Sequence, residues 1–247
     1  MVASNSILVM IPTYNERENV VSLTREILDL DIPADILFID DNSPDGTGKV
    51  LETIKGTYTK NNHIQTVHYI ARSGKLGVGS AHKVGITYAY KEGYRTLITM
   101  DCDRTHDPAD IKRFLKKAMD GWDIIVGTRH ANKESLAGWS PWRKFVTGFG
   151  HLLTQIVLKL PYDATGAFRL YQLDKIPQRE FIAVQSDGYE FFYESLTRLY
   201  MHKFPIAEIP ITLSPRAAGS SKLKTSDLPK AFINMLKLRL NFWRLKP

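Results

Sequence analysis

The stretch "LITMDCDRTHDP" (residues 97–108) ends a short apolar run on two aspartates one residue apart. Read as a buried strand, it puts Asp101 and Asp103 at the strand's carboxyl end, the edge where open α/β sheets bind ligands. Read as a loop, it is only an acidic turn. The chain carries its own control: Asp29-Leu30-Asp31 has the same spacing, between an amphipathic segment and "IPAD". Spacing alone decides nothing, so the surrounding pattern has to.

Working outward, "SILVMI" (6–11), "DILFID" (35–40), "HIQTVHYI" (63–70), "TLITM" (96–100) and "DIIVG" (123–127) read as strands. Residues 16–30 place Val20, Leu23, Ile27 and Leu30 on one helical face, with Asn15 as the expected cap and Glu18 three residues on. Residues 77–92 and the row Ile111, Leu115, Ala118 predict two more helices. Such alternation predicts a mostly parallel sheet with helices on both faces. Three polar clusters then follow three strand ends: Pro12-Thr13-Tyr14-Asn15-Glu16, Asp40-Asp41-Asn42-Ser43 and Asp101-Cys102-Asp103. They should converge on one rim, whereas the control at 29–31 falls at a helix end.

Past about residue 130 the alternation stops. An apolar, aromatic segment (140–160) follows Trp139 and includes Trp142 and Arg143. Next come "DATGAFRLY" (163–171), the helical "GYEFFYESLTRLY" (188–200) and an expected strand pair around "FPIAEIPITL" (204–213). Last are the loop "SPRAAGSSKLK" (214–224) and a basic, apolar helix from about Asp227. The division expected is a catalytic domain over 1–226 and an amphipathic helix over 227–247. Phe232, Ile233, Leu236, Leu240 and Trp243 form one face of that helix, and Met235, Leu238, Phe242 and Leu245 another.

The 247 residues are 43% hydrophobic and 24% charged, as in an ordinary globular protein. Net charge is +7, concentrated between Lys222 and Lys246, where seven basic residues face one acid. A basic end suits an acidic partner: nucleic acid, a phospholipid surface or a phosphorylated substrate. The single cysteine, Cys102, excludes an internal disulfide and fits a reducing compartment. "MVASNSILVMIP" lacks the basic start of a signal peptide. The uncharged run Phe145–Leu158 falls short of the roughly twenty residues that a membrane helix needs.

Two carboxylates at i and i+2 on extended backbone face the same way. They can hold a hard divalent cation and leave positions open for phosphate oxygens, as Mg²⁺ prefers. Glu16 and Asp41 suit helix capping, or hydrogen bonds to a base or ribose. Gly74-Lys75-Leu76-Gly77-Val78-Gly79 has the wrong spacing for a dinucleotide loop. His106, beside Asp107-Pro108, reads as structural, and the other six histidines show no ligand spacing. Arg216 and Lys222 flank Gly219 and two serines, a loop able to close over a diphosphate.

Taken together the chain resembles the dolichol-phosphate mannosyltransferase branch of the inverting family 2 glycosyltransferases. The matches are "IPTYNEREN" (11–19), "IDDNSPDGT" (39–47), "GKLGVGSA" (74–81), "MDCDRTHDP" (100–108), "GTR" (127–129), "GWSPWRK" (138–144), "DATGAFRLY" (163–171), "GYEFFYE" (188–194) and "EIPITLSPRAAGSSKL" (208–223). Departures from the family pattern are Cys102, Arg104, Thr105, Ala167 and Phe192.

The resemblance implies a GT-A fold, a divalent cation (Mg²⁺ or Mn²⁺), a nucleotide-sugar donor such as GDP-mannose and a polyprenyl or dolichyl phosphate acceptor. It places Pro12, Tyr14, Glu16, Ile39 and Asp41 on the nucleotide. Asp101, Cys102 (through its backbone) and Asp103 fall on the metal and diphosphate. Arg129 faces a phosphate of donor or acceptor, and Arg216 and Lys222 close over the donor, with Asp103, Arg216 and Lys222 carrying the catalysis. The product should be inverted, because the acceptor phosphate is already ionised and attacks in one displacement. The expected setting is peripheral on the cytosolic face of a membrane (endoplasmic reticulum or bacterial inner membrane), with a small membrane subunit as a potential partner and no nucleic acid. Three rivals stand beside this reading. One is a different nucleotide sugar, such as UDP-glucose, with a bacterial polyprenyl phosphate. Another is a haloacid-dehalogenase-type phosphatase, whose signature "LITMDCDRT" fits with Asp101 as nucleophile. The third is a binder of nucleotide sugar without turnover.

Overall fold

A computed structural model describes residues 6–60, 65–214 and 227–244. Its centre is a seven-stranded sheet in the order β3-β2-β1-β4-β6-β5-β7. The strands are β1 (Ile7–Thr13), β2 (Ala34–Asp40), β3 (Val67–Ala71), β4 (Thr96–Thr99), β5 (Ile124–Thr128), β6 (Arg169–Gln172) and β7 (Ile206–Pro210). The helices are α1 (Val20–Leu28), α2 (Thr47–Lys60), α3 (Val78–Glu92), α4 (Asp110–Met119), α5 (Pro141–Leu158), α6 (Arg179–Ile182), α7 (Glu190–Met201) and α8 (Asp227–Arg244). The expected architecture is present, a largely parallel sheet between two helical layers.

Both faces of the sheet are covered, which is why its strands read as nearly unbroken apolar runs. In β1, Leu8 and Met10 enter one core while Val9 and Ile11 enter the other. In β2 the pairs are Leu37 with Ile39 and Ile36 with Phe38. Helices α1, α2 and α4 close one face through Leu23, Leu51 and Phe114. Helices α3 and α7, with Met235 of α8, close the other. Each large side chain so buried contributes about 1.5–3 kcal/mol.

Four sequence expectations need correction. Helix α1 starts at Val20, not 16, because Asn15 takes a left-handed conformation (φ 57°) and its N–H donates to Ser43 Oγ (2.9 Å). Asn15 serves the rim rather than the helix. Helix α2 is not marked by periodicity, since its sequence holds two glycines and four threonines and its buried apolar side chains are Leu51 and Ile54. Strand β6 was hidden because it is four residues long and opens on a wholly buried arginine, Arg169. It runs antiparallel between β4 and β5. Finally, one strand, β7, stands where a pair was expected; the chain beyond it follows loop hydrogen bonds from Ile211 to Thr128, Leu213 to Ser135 and Ser214 to Thr105. The control Asp29-Leu30-Asp31 does lie at a helix end, with Asp29 capping α1.

Helix α8 follows its pattern over the described side chains. Met235 is buried, Leu238 packs on the core, and Phe232, Ile233, Leu236 and Leu240 are exposed. Asn234 donates to Glu190 Oε1 (3.2 Å) and ties the helix to the start of α7.

His82 of α3 gives the core a pH dependence. It is wholly buried between Phe191 and Phe192, and its Nδ1–H donates to Val78 O (2.8 Å). Burial pushes its pKa down to about 4 from 6.5. The folded state therefore binds fewer protons than the unfolded one, so this stability is complete above pH 6.5 and is lost as pH falls towards 4. The difference is on the order of 3 kcal/mol at full protonation. His82→Leu should flatten part of the acid limb in urea unfolding measured from pH 7 to 4; an unchanged slope would show that His82 does not set it.

Candidate active site

All three polar clusters reach one rim. Strands β1, β2 and β4 end there, β5 ends there with Thr128, and antiparallel β6 begins there. Arg169, the first residue of β6, is registered against Thr99 and Val126, so the loop before it joins the same edge.

The half of the rim formed by β1 and β2 is stitched by short polar side chains. Asp40 accepts from Thr13 Oγ (3.1 Å) and from the N–H of Ser43 (2.9 Å). Asp45 accepts from Thr47 N–H (2.9 Å) and from Arg17 N–H (3.1 Å), and Thr47 Oγ accepts from Glu16 N–H (3.0 Å). Burial favours the neutral form of Asp45, but these bonds outweigh it and hold its pKa low. Pro12 and Ile39 are register partners near the ends of β1 and β2. The Lys75 ammonium lies 4.3 Å from the Tyr14 ring centroid. Glu16 is buried and accepts from Asn19 Nδ2 (2.7 Å). Asp41 accepts from Arg72 Nη1 (2.6 Å) and Leu76 N–H (3.2 Å). Burial nevertheless pushes the Asp41 pKa up, against the pull of Arg72.

In the other half, β4 stops at Thr99 and residues 101–106 form a tight turn. The aspartates thus owe their placement to this turn and not to extended backbone, a correction to the sequence argument. Asp101 N–H donates to Nδ1 of buried His106 (3.0 Å), whose ring lies 4.9 Å from that of Phe168. Burial pushes His106 down to about 4, with Asp103 acting the other way, so the ring is neutral and Nδ1 can accept. The structural reading of His106 stands. Asp103 Oδ1 accepts from Thr105 N–H (3.1 Å) and Oγ (2.7 Å). Arg104, left-handed at φ 62°, turns away to pair with Glu26 (2.5 Å). The Cys102 side chain is in the core, leaving its backbone for the rim.

Arg129 follows β5 and is held by Asp163. Its Nε–H donates to Oδ2 (2.8 Å), Nη2 to Oδ1 (2.6 Å) and its backbone N–H to Oδ2 (3.1 Å). Nη2 also reaches Thr165 Oγ (2.5 Å), and Asp101 lies close enough to act on the guanidinium. Burial disfavours both charges, yet each outweighs that for the other: Asp163 is held far below the usual carboxylate range and Arg129 is raised. Asp163 N–H donates to Glu208 Oε1 (2.6 Å), whose pKa burial pushes up.

Of the sequence-derived residues, Pro12, Tyr14, Glu16, Ile39 and Asp41 lie on the β1–β2 side, and Asp101, Cys102, Asp103 and Arg129 on the β4–β5 side of one rim. Arg216 and Lys222 lie outside the described residues. Asp163, Arg72, Lys75 and Thr105 had no assigned role, although all but Arg72 sit in quoted motifs. Two glycines of "GKLGVGSA" serve close packing: a Cβ on Gly77 would stand 2.4 Å from Asp187 O, and one on Gly79 2.6 Å from Gly188 O.

Asp101 and Asp103 present hard oxygen donors on one short segment, in which Oδ1 of Asp103 is bonded to Thr105. A carboxylate pair of this kind fits Mg²⁺ or Mn²⁺ and leaves room for phosphate oxygens.

Comparisons with known proteins agree with this geometry. The Glycosyl transferase family 2 profile matches residues 8–178. Polyprenol monophosphomannose synthase of Mycolicibacterium smegmatis is 31% identical over 230 residues, 92% of this chain and 84% of that one. Undecaprenyl-phosphate mannosyltransferase of Micrococcus luteus is 31% identical over 232 residues, 94% of this chain and 93% of that one. A Pyrobaculum calidifontis mannosyltransferase, solved with GDP-Man and Mn²⁺, superposes with a TM-score of 0.61 at 14% identity, over 100% of this chain and 67% of its own. The likeness shows a shared GT-A fold.

Breaking a buried ion pair by removing one partner costs about 3–5 kcal/mol. Asp163→Asn should lower unfolding stability by that order in urea. Arg129→Lys should not preserve it, because an ammonium cannot reproduce the two-point fork; wild-type stability in Arg129→Lys would show that the fork carries no energy.

Proposed function

This chain belongs to glycosyl transferase family 2, and from that premise we propose that it transfers mannose from GDP-mannose to a polyprenyl phosphate, with inversion, at a membrane surface. The observation that carries the reading is the single rim on which the Tyr14–Asp41 cluster stands beside the Asp101–Asp103 turn and Arg129. A nucleoside binds over the Pro12–Ile39 pair, where Tyr14 and Lys75 offer a stacking face and Glu16 and Asp41 accept hydrogen bonds. For Asp41 this requires Arg72 to share or yield its carboxylate.

The diphosphate then points across β1 towards Asp101 and Asp103. These two carboxylates would hold the divalent cation, which would supply positive charge to the leaving diphosphate. Departure of that group leaves an oxocarbenium-like sugar, as in glycoside hydrolysis. The acceptor phosphate, ionised at neutral pH, attacks the opposite face of the anomeric carbon. No general base is required of the protein. Arg129 adds fixed positive charge, held in place by Asp163, and Arg216 and Lys222 close over the phosphates. Thr105, bonded to Asp103, fixes the turn.

The acceptor's lipid tail suits the surface formed by α5 and α8. Trp142, Phe145, Phe149, Leu152 and Ile156 form one exposed stripe of α5, and the first three rings stack in sequence. Trp142 and Phe145 are 59% and 60% exposed. The exposed row of α8 accompanies it, and the two helices touch. Apolar faces flanked by Arg143, Lys144, Lys237 and Arg239 match an anionic bilayer surface. Among the described residues no helix is long and apolar enough to cross a membrane. We place the protein on the cytosolic face of its membrane, where the same helices can also meet a small membrane subunit. The alternative donor UDP-glucose keeps the mechanism and changes the base contacts.

Given a panel of labelled nucleotide sugars with dolichyl and undecaprenyl phosphate, label should enter the organic phase from GDP-mannose and require Mg²⁺ or Mn²⁺. Asp103→Ala should lower turnover by at least a hundredfold, since several kcal/mol of charge stabilisation is lost. Full activity in excess chelator would exclude the metal role, and release of phosphate from a generic phosphoester would favour the phosphatase rival. Phe145→Glu with Phe149→Glu, on an exposed face, should leave the fold intact and reduce sedimentation with anionic liposomes; unchanged sedimentation would remove α5 from the membrane contact.

A further inference from the structure

The geometry points to a second cation site, formed by His130, His151 and Asp163 and suited to a borderline transition metal of the zinc type rather than to magnesium. The three residues come from separate parts of the chain: the segment after β5, the middle of α5 and the loop before β6. Sequence spacing conceals them, and the fold brings one ligating atom of each within 4.8 Å of the others. Among the described residues this is the one group of three such ligands, and it does not include Asp101 or Asp103.

Two further observations point to a ligand. His130 Nε2 and His151 Nδ1 are both shielded from solvent and have no hydrogen-bond partner. Buried polar atoms are rarely left so, and a pair of them beside a buried carboxylate marks a place where something else binds. His130 Nε2 lies 3.7 Å from Asp163 Oδ2. The other nitrogen of His151, Nε2, meets the Gln155 side-chain amide at 3.0 Å. With the amide oxygen turned towards it, Nε2 keeps its proton and the Nδ1 lone pair is available, the outer support typical of metal-binding histidines.

Two imidazoles and a carboxylate select Zn²⁺, Co²⁺, Ni²⁺ or Cu²⁺ over Mg²⁺. Ligands around one zinc ion stand about 3.3 Å apart, from bond lengths of about 2.0 Å. The histidine rings are now stacked, 3.9 Å between centroids and 8° from parallel, so one ring must rotate for both lone pairs to converge. Both rings are half-buried, so neither is locked in the core. Asp163 Oδ2 already accepts two N–H groups from Arg129, so cation and arginine share one carboxylate.

The test uses the full chain in excess Mg²⁺, which occupies the hard-oxygen site, and titrates Co²⁺ as the spectroscopic probe. One equivalent should bind saturably with a visible ligand-field band. His151→Ala and His130→Ala should each weaken it at least tenfold, while Asp103→Asn leaves it unchanged. Circular dichroism and thermal melts of the variants check that they fold; a histidine variant that does not fold is replaced by His151→Gln, expected to lose the band in the same way. No saturable uptake overturns the proposal, as water then satisfies the two nitrogens. So does uptake equal in His151→Ala and wild type, or loss of the band in Asp103→Asn.

Discussion

One wholly buried carboxylate holds the rim together. Asp163 occupies the loop by which the chain returns from α5 into the sheet as β6. An unpaired charge there would cost several kcal/mol, so the loop is stable only where Arg129 supplies its fork. That requirement fixes the loop before β6 against the end of β5. It also fixes the guanidinium beside Asp101, and through Glu208 it reaches β7. Arg169, also buried, completes the loop from beneath by donating to Ala164 O and Gly166 O (2.8 and 2.9 Å) and to Phe192 O of α7 (2.8 Å).

The rim therefore has two halves with different physics. The β1–β2 side is built from turns and short side chains, where Asp40, Asp45 and Thr47 satisfy backbone donors of neighbouring loops. Arrays of this kind fix direction at little electrostatic cost. The β4–β5 side is built from buried charge, with a neutral histidine as the spacer. His106 is kept neutral by burial, and that state lets its Nδ1 accept from Asp101.

Much of this was legible in the sequence. The unbroken apolar runs of β1, β2, β4 and β5, and the periodicity of α1, α3 and α4, follow from local side-chain pattern. So does the distinction between Asp101-Cys102-Asp103 and Asp29-Leu30-Asp31, since one follows a buried run and the other a helix. The two faces of α8 were readable too over its described side chains, 232–240, because a 3.6-residue period shows which side chains share a side. What the tertiary structure alone decided involves partners far apart in the chain. Asn15 leaves its helix because Ser43 offers a bond 28 residues away. Helix α2 forms on the burial of Leu51 and Ile54 despite poor helix formers. An arginine can open a buried strand, as in β6, only when carbonyls surround it, here two from the preceding loop and one from α7. The pairing of Arg129 with Asp163, 34 residues apart, and the meeting of His130 with His151 leave no local mark. Sequence determines which residues prefer to be buried and at what period; which charge neutralises which is set by the path of the chain, since a carboxylate's partner is chosen by proximity in space.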